Sequence, residues 1–525
     1  MSAVANVVDL FRQQAAARPG APAVVEGTGA RRRETSFGAL DARGARGAAQ
    51  LRDAGLAAGD RVLVLVPVSA RLYEVLAAVF RAGLVAVVLD PGAGREHIEA
   101  AVERARPQAF VGSPTAHLLR LTQPGIRAIP VRFATGWAPG AHRWGRGEGS
   151  LDPLPVGPEA PALLTFTSGT TGAPKAAVRT HGLLAAQHAA LAAALDLAPG
   201  QVDLATLPVV VLANLASGVT TVLPDVDLRQ PGAYDVRRVL KQLHVERPTR
   251  SVASPAFFDR LLARARPGDL DAFRRLDAGG APVFPDLLDR LGADGRTGVA
   301  VYGSTEAEPI AHLARADLSD ADRQRVAEGG GLPAGRPVDA VDLRIVPDSG
   351  GQPLGPFTAD AWDALALPAG EAGEVVVAGD HVVPGYLDGA GDAETKVDVD
   401  GRRWHRTGDA GRLDADGRLW LLGRCAGASR RASGVVYPLQ VEAALRERFG
   451  VRAAFLDLDG RRVVAVEGRG RHVGMAEAVA WARLDDVVGV RRIPVDRRHN
   501  AKVDRAALAA LLGGHGSRGS DVYHP

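Results

Sequence analysis

The stretch with the clearest chemistry runs Thr165-Phe166-Thr167-Ser168-Gly169-Thr170-Thr171-Gly172-Ala173-Pro174-Lys175. Small hydroxyl residues and glycines dominate it. A polyphosphate needs many short donors and close approach of the main-chain amides, which bulky side chains would block. Lys175 adds a point charge at the end of the run. The spacing is not that of the common nucleotidase loop, which keeps four residues between its glycines and closes on Gly-Lys-Ser/Thr. The plainer alternative is a flexible Ser/Thr/Gly connection. Against it stand the apolar residues Ala162 to Leu164 ahead of the run and a helical stretch from near His181 behind it.

Elements able to position such a loop are legible on both sides. Arg61–Val68 and Val85–Asp90 are continuous apolar, β-branched runs. Ser69–Gly83 and Arg95–Ala105 carry helical periodicity, and Ala109–Gly112 reads as a short strand. Val236–Val245, Pro255–Ala265 and Pro285–Leu291 read as helices between short apolar runs. Such alternation implies crossover units and a largely parallel sheet buried on both faces. Beyond about Gly335 the pattern becomes β-rich: Val341–Val346, Gly373–Ala378 and Arg418–Gly423 read as strands, with Leu413–Gly417 as a hairpin turn. Arg424–Gly434 lacks an apolar period and reads as a linker. A small α+β unit follows: a helix over Leu439–Phe449, strands over Ala453–Asp457 and Arg462–Glu467, and helices over Met475–Leu484 and after Val503. The expected fold is therefore α/β. Residues 1–423 form a large N-terminal domain of packed mixed sheets and helices with a β-rich subdomain. Residues 424–434 form a hinge, 435–512 a small α+β C-terminal domain, and 513–525 a disordered tail.

Composition narrows the possibilities further. At 525 residues with 46% hydrophobic and 23% charged side chains, the chain is too long for one core and too apolar for disorder. A net charge of +3 without a basic block argues against nucleic-acid binding. The single cysteine, Cys425, allows no internal disulfide and fits a reducing cytoplasm. Met1–Arg12 does not read as a signal peptide. Leu204–Pro224 is uncharged and long enough to span a bilayer, but Pro208, Asn214 and Gly218 interrupt it. It reads instead as a buried strand, loop and strand lining a pocket, so no transmembrane segment is expected.

The run 165–175 resembles the phosphate loop of the adenylate-forming superfamily, which includes acyl-CoA synthetases and peptide-synthetase adenylation domains. The likeness continues in order along nearly the whole chain. Gly279-Gly280-Ala281-Pro282 is similar to the adenine-side turn, and Tyr302-Gly303-Ser304-Thr305-Glu306 to the Tyr-Gly-x-Thr-Glu motif. Thr407-Gly408-Asp409 is similar to the segment whose aspartate binds the ribose. Gly423-Arg424 resembles the pair at the hinge whose arginine also reaches the ribose. Asn500-Ala501-Lys502 stands where the family keeps its catalytic lysine. The resemblance implies a nucleotide site formed by Thr167, Ser168, Gly169, Thr170, Thr171, Gly172, Gly280, Ala281, Pro282, Tyr302, Gly303, Asp409 and Arg424. It implies catalytic roles for Lys502, Glu306, Thr305 and Lys175, ATP as cofactor, and Mg²⁺ on Glu306 and Thr170. It also sets His181 near the phosphate loop or pocket. Each motif alone has a bland reading as a turn, a strand end or a solvated lysine. The physical logic agrees with the likeness, because carboxylate attack on the α-phosphorus joins two anions and requires cations where charge grows.

Further segments point to one branch. Pro494 to Lys502 departs from the usual Pro-x-x-x-x-Gly-Lys ending. With Asp90–Gly94, Pro107–Gly112, Leu223–Asp227 and Trp404–Asp409, it resembles the β-lactone synthetases of olefin and β-lactone biosynthesis. Those enzymes adenylate a β-hydroxy acid whose own hydroxyl then closes the ring. Ala426 occupies the position where coenzyme A ligases usually carry an acidic or basic hinge residue. The implied substrate is a small carboxylic acid, with lining from Leu207–Ser217, Ser254–Phe258 and Gly279–Pro282. Association with pathway enzymes is implied by the family alone. The alternative on the same fold is an acyl-CoA or acyl-carrier-protein ligase.

Overall fold

The computed structural model describes residues 6–89, 94–167, 174–227, 231–468, 474–495, 502–513 and 522–523. Its architecture is mixed α/β, as the alternation of patterns predicts. A 7-stranded sheet carries the N-terminal crossover units. Arg61–Leu65, Val85–Val88, Ala109–Gly112, Val131–Ala134 and Pro161–Thr167 run parallel within it. Val62, Leu63 and Val64 are buried, as continuous Val/Leu runs in a doubly covered sheet must be. Helices Phe37–Asp53 and Ala70–Arg81 pack on one another through small residues. A Cβ on Gly44 would lie 3.1 Å from that of Ala77, and one on Gly47 would lie 2.6 Å from the Trp144 ring.

A 14-stranded sheet forms the rest of the large unit. Val202–Ala205, Arg250–Ala253, Arg275–Gly279 and Thr297–Ser304 are parallel neighbours. The chain then reverses into Ala307–Ala314, and the sheet continues antiparallel, in spatial order, through Leu332–Pro337, Leu419–Arg424, Arg402–Leu413, Gly373–Ala378 and Asp342–Val346. The expected hairpin at Leu413–Gly417 joins two of these strands. The C-terminal portion has a 4-stranded sheet of Ala453–Leu458, Arg461–Glu467, Asp486–Val490 and Val522–Tyr523. Helix Pro438–Phe449, with proline in its first turn, packs against this sheet and buries Val441, Ala444 and Leu445.

Several expectations are corrected. Leu204–Pro224 is not strand, loop and strand: a helix, Pro208–Ser217, lies between strands Val202–Ala205 and Thr220–Val222. Pro208 opens the helix at its first position, where a missing N–H costs nothing, and Gly218 closes it at φ 71°. The helix expected from near His181 is present as His181–Leu195, and a strand not expected from the sequence precedes it. That strand, Lys175–Thr180, is antiparallel to Pro161–Thr167, and the helix is capped by the Thr180 hydroxyl. The segment 424–434 holds a short turn at Cys425–Gly427 and the start of a hairpin, Ser429–Arg431 with Gly434–Val436. The helix expected over Met475–Leu484 is only Met475–Ala478 with a turn at Ala480–Ala482, because Val479 leaves helical backbone geometry. Of the tail expected to be disordered, Val522–Tyr523 adds a strand beside Asp486–Val490, while residues 514–521 and 524–525 lie outside the described residues.

Candidate active site

Three adjacent strand ends and the C-terminal unit meet around a cavity of about 420 Å³. Strand Arg275–Gly279 ends in a turn at Gly280, whose φ of 83° suits glycine, followed by Ala281 and Pro282. The neighbouring strand Thr297–Ser304 delivers Tyr302 and Gly303. A Cβ on Gly303 would lie 3.0 Å from the Ala307 carbonyl oxygen, so the tight reversal after it requires glycine. Asp409 and Arg424 stand opposite each other on paired strands. Gly280, Ala281, Pro282, Tyr302, Gly303, Asp409, Arg424 and Lys502 all line this cavity.

Asp409 is the polar centre of the cluster. The Tyr302 hydroxyl donates to its Oδ2 at 2.8 Å, and Arg424 Nε lies 3.3 Å from its Oδ1. Arg424 also donates to the Thr407 carbonyl at 2.7 Å. Burial and the neighbouring carboxylate push the Tyr302 phenol far above its ordinary value, so it remains a donor. Asp409 raises the Arg424 guanidinium in turn. Beneath this layer lies a buried ion pair, with Arg406 donating to Glu374 at 3.0 and 2.6 Å. The other Glu374 oxygen accepts from Gly408 N at 3.2 Å, and Thr407 Oγ1 donates to the Val375 carbonyl at 2.8 Å. Thr407 to Asp409 is thus fixed to the strand below it.

Glu306 belongs to a second group, set by the reversal after Ser304. Its Oε1 accepts from the Tyr386 hydroxyl at 2.9 Å. Lys175 Nζ lies 5.7 Å and Lys396 Nζ 5.4 Å from the Tyr386 ring centre. Lys396 is buried, and desolvation pulls its ammonium down to about 8 even though Glu306 opposes the shift. Arg179, also buried, donates to Thr165 Oγ1 and to the Thr305 carbonyl. It therefore ties the strand before the phosphate-loop run to the strand end bearing Thr305. Glu308 faces Arg179, and burial pushes its carboxyl up to about 7.

The sequence motifs are therefore brought together in two linked groups. Gly280 to Pro282, Tyr302, Gly303, Asp409, Arg424 and Lys502 share one cavity, while Glu306 and Lys175 meet at Tyr386. Thr167 ends the strand Pro161–Thr167; Ser168, Gly169, Thr170, Thr171 and Gly172 lie outside the described residues, as do Asn500 and Ala501. Of the anticipated acyl lining, Pro255, Ala256 and Gly280 to Pro282 face the cavity, whereas no residue of helix Pro208–Ser217 does. His181 packs against the N-terminal helix: its Nδ1 accepts from Val7 N at 3.1 Å, its ring meets Phe80 edge-on, and burial pulls it down to about 4. Cys425 is buried and its thiol is pushed up, which is the opposite of an activated nucleophile. Motif reading missed Tyr386, Lys396, Arg179 and the Glu374–Arg406 pair. Arg406 immediately precedes the ribose motif, but its strand, Arg402–Leu413, also carries Arg402, Arg403, His405 and Arg412, so nothing local singled it out.

Known proteins resemble this chain over most of its length. The AMP-binding enzyme family model matches residues 11–387. An olefin β-lactone synthetase from Stenotrophomonas maltophilia is 33% identical over 505 residues, covering 90% of each chain. A feruloyl-CoA synthase from an Amycolatopsis species is 31% identical over 467 residues, covering 85% of this chain and 87% of that one. Among solved structures, an amide bond synthetase from Marinactinospora thermotolerans superposes with a TM-score of 0.78 at 23% identity, covering 96% of this chain and 100% of that one. The chain belongs to the AMP-binding enzyme family and is an AMP-forming ligase acting on a carboxylic acid. Among the described residues, no helix is long and apolar enough to cross a membrane.

Proposed function

We propose that the protein adenylates a β-hydroxy acid, specifically a 2-alkyl-3-hydroxy fatty acid, and closes the adenylate to a β-lactone in the reducing cytoplasm. In the first step a carboxylate oxygen attacks the α-phosphorus of ATP and pyrophosphate leaves. In the second the substrate's β-oxygen attacks the activated carbonyl, its proton is lost and AMP leaves. The observation that carries the lactone reading is the 33% identity spread over 90% of both this chain and the olefin β-lactone synthetase. The feruloyl-CoA synthase likeness keeps a thioester-forming ligase as the alternative.

The residue roles rest on the family resemblance, and the two groups support them where their residues are described. Asp409 and Arg424 would hold the ribose hydroxyls, with Tyr302 fixing the carboxylate and flanking the base beside Gly280 to Pro282. Thr305 would meet the α-phosphate. Lys502 would place a cation against the charge growing on the reacting phosphate, and Lys175 one against the leaving pyrophosphate. Thr167 to Gly172 would cradle the β- and γ-phosphates. Mg²⁺ favours one or two protein oxygens together with substrate phosphates and water. Glu306, with Oε1 already accepting from Tyr386, fits that sparse donor set, and Thr170 would be the second protein ligand. When bound, the metal would neutralise charge between the phosphates. Intramolecular closure gains from holding the hydroxyl beside the carbonyl and requires no external thiol.

The test is incubation with ATP, Mg²⁺ and a 2-alkyl-3-hydroxy fatty acid without coenzyme A, with the product identified by infrared and NMR spectroscopy. A β-lactone with stoichiometric AMP is expected. An adenylate that turns over only on addition of coenzyme A or a carrier protein would move the enzyme to the thioester-forming class.

A further inference from the structure

A second cavity, of about 730 Å³, shares no lining residue with the nucleotide cavity and is ringed by guanidinium groups. Arg33 comes from strand Arg33–Ser36, Arg43 and Arg46 from helix Phe37–Asp53, and Arg143 from strand His142–Arg143, with Arg146 just beyond it. None of these five forms an ion pair among the described residues. The carboxylates nearby are already committed. Glu34 pairs with Arg32 at 3.0 Å. Glu74 is buried, accepts from Trp144 Nε1 at 2.8 Å and pairs with Arg71 at 2.6 Å. Glu26 also lines the cavity; burial raises its carboxyl, and the charges of Arg33 and Arg71 oppose that shift. Several like charges facing one concavity repel each other, and an anion seated there relieves that repulsion.

The fold gives the cavity a second significance. In the 7-stranded sheet Val131–Ala134, Ala109–Gly112, Arg61–Leu65 and Val85–Val88 are successive neighbours. The chain leaves Arg61–Leu65 in one direction, to Val85–Val88, and leaves Ala109–Gly112 in the other, to Val131–Ala134. The switch point falls between the two middle strands, and open α/β sheets bind ligands outside the carboxyl ends of strands at such a point. Ser69 to Arg71, just after Arg61–Leu65, and Thr135, just after Val131–Ala134, line the cavity from that carboxyl edge.

We propose that this cavity is a second anion site, separate from the nucleotide pocket, that takes a diphosphate-bearing ligand through Arg43, Arg46 and Arg146. Guanidinium forks match phosphate oxygens bidentately, and guanidinium is desolvated more readily than ammonium. The diphosphate could come from the pyrophosphate that the reaction releases or from the diphosphate of coenzyme A.

The experiment titrates inorganic pyrophosphate calorimetrically, at low ionic strength, into the full chain and three variants: Arg43→Ser/Arg46→Ser, Arg146→Ser and Lys175→Ala. A binding step is expected that survives Lys175→Ala, weakens at least tenfold in the double variant and severalfold in Arg146→Ser, and fades with added salt. The double variant should keep the wild-type melting temperature and adenylation rate. Arg146→Ser, outside any helix, preserves the test if the double variant folds poorly. Coenzyme A binding more tightly than pyrophosphate, with the same arginine dependence, would assign the site to the cofactor's diphosphate. Equal or weaker binding would assign it to free pyrophosphate. A pyrophosphate step that is lost in Lys175→Ala and untouched by the arginine variants, or no step at all, would overturn the proposal.

Discussion

Lys502 and Lys396 show how differently one residue type is used in this protein. Lys502 lines the same cavity as Asp409 and Arg424, and in its proposed role its cation would face the reacting phosphate. Removing a preorganised electrostatic group of this kind costs on the order of 10²–10³ in rate. Lys502→Ala is therefore expected to slow pyrophosphate release about that much while ATP affinity, measured by equilibrium binding, stays within about twofold. Normal pyrophosphate release would remove the lysine from the reaction. Lys396 does not face the cavity; it is buried, donates to the Val383 carbonyl and lies 3.2 Å from His405 Nδ1. Burial lowers it from an ordinary 10.5 to about 8. Below the lower value both the folded and unfolded chains carry the proton, and the desolvation penalty is present in full. Between the two values the unfolded chain binds more protons, so stability rises with pH. Melting curves from pH 7.5 to 10.5 should show this positive slope in the wild type, and Lys396→Met should flatten it. The two lysines also mark what the sequence could and could not disclose. Lys502 stands out by its place after a recognisable ending, whereas Lys396 looks like any lysine at a strand start until the fold buries it against Tyr386.

At the scale of elements, the ribose motif depends on its strand partners more than on its own residues. Arg406, Thr407 and Gly408 are each bonded to the strand Gly373–Ala378, chiefly through Glu374. Glu374→Ala would leave the Arg406 guanidinium buried without its carboxylate, at a cost of about 3–5 kcal/mol. Urea unfolding should show that loss, and the KM for ATP should rise as Asp409 loses its fixed backbone. The double change Glu374→Leu/Arg406→Met should be much closer to wild-type stability, because removing both charges removes the unpaired one. A double variant as unstable as Glu374→Ala would show that packing, not charge, dominates there. Strands such as Gly373–Ala378 were legible because continuous Val runs leave little choice. The hairpin at Ser429–Arg431 and Gly434–Val436 was not, since Arg, Ala, Ser and Gly have no apolar period to read. What shapes it comes from elsewhere: Arg462 donates to Ser429 Oγ at 3.0 Å and to the Gly434 carbonyl at 2.7 Å. Likewise the strand Lys175–Thr180 draws its register from Pro161–Thr167, which no local window contains.

For the whole molecule the question is whether one arrangement of its two parts serves both half-reactions. Helix Pro438–Phe449 is fastened to the large unit by Arg446, which donates to Asp286 at 2.7 and 2.9 Å and covers the Phe284 ring at 4.5 Å. Arg323 adds a bridge from Asp289 at 2.6 Å to Glu447 at 3.2 Å. These contacts accompany Lys502 in the cavity, so on its proposed role this arrangement would serve adenylation. A thiol nucleophile has to enter from outside, and a ligase using one gains from moving the lysine away. An internal hydroxyl is already beside the carbonyl when the adenylate forms. Ala426, a residue with no charge to exchange between two arrangements, agrees with a protein that need not rotate. Introducing Asp286→Cys and Arg446→Cys and bridging them with a short bis-maleimide would hold the parts as they are. Buried Cys425, its thiol pushed up, should remain unlabelled. The bridged enzyme is expected to keep multiple turnovers of acid to lactone at a rate within about threefold of the unbridged variant. A burst of one adenylate per enzyme followed by arrest, reversed when a cleavable bridge is cut, would show that the second step needs the parts to move. That outcome would favour the thioester-forming reading over the lactone.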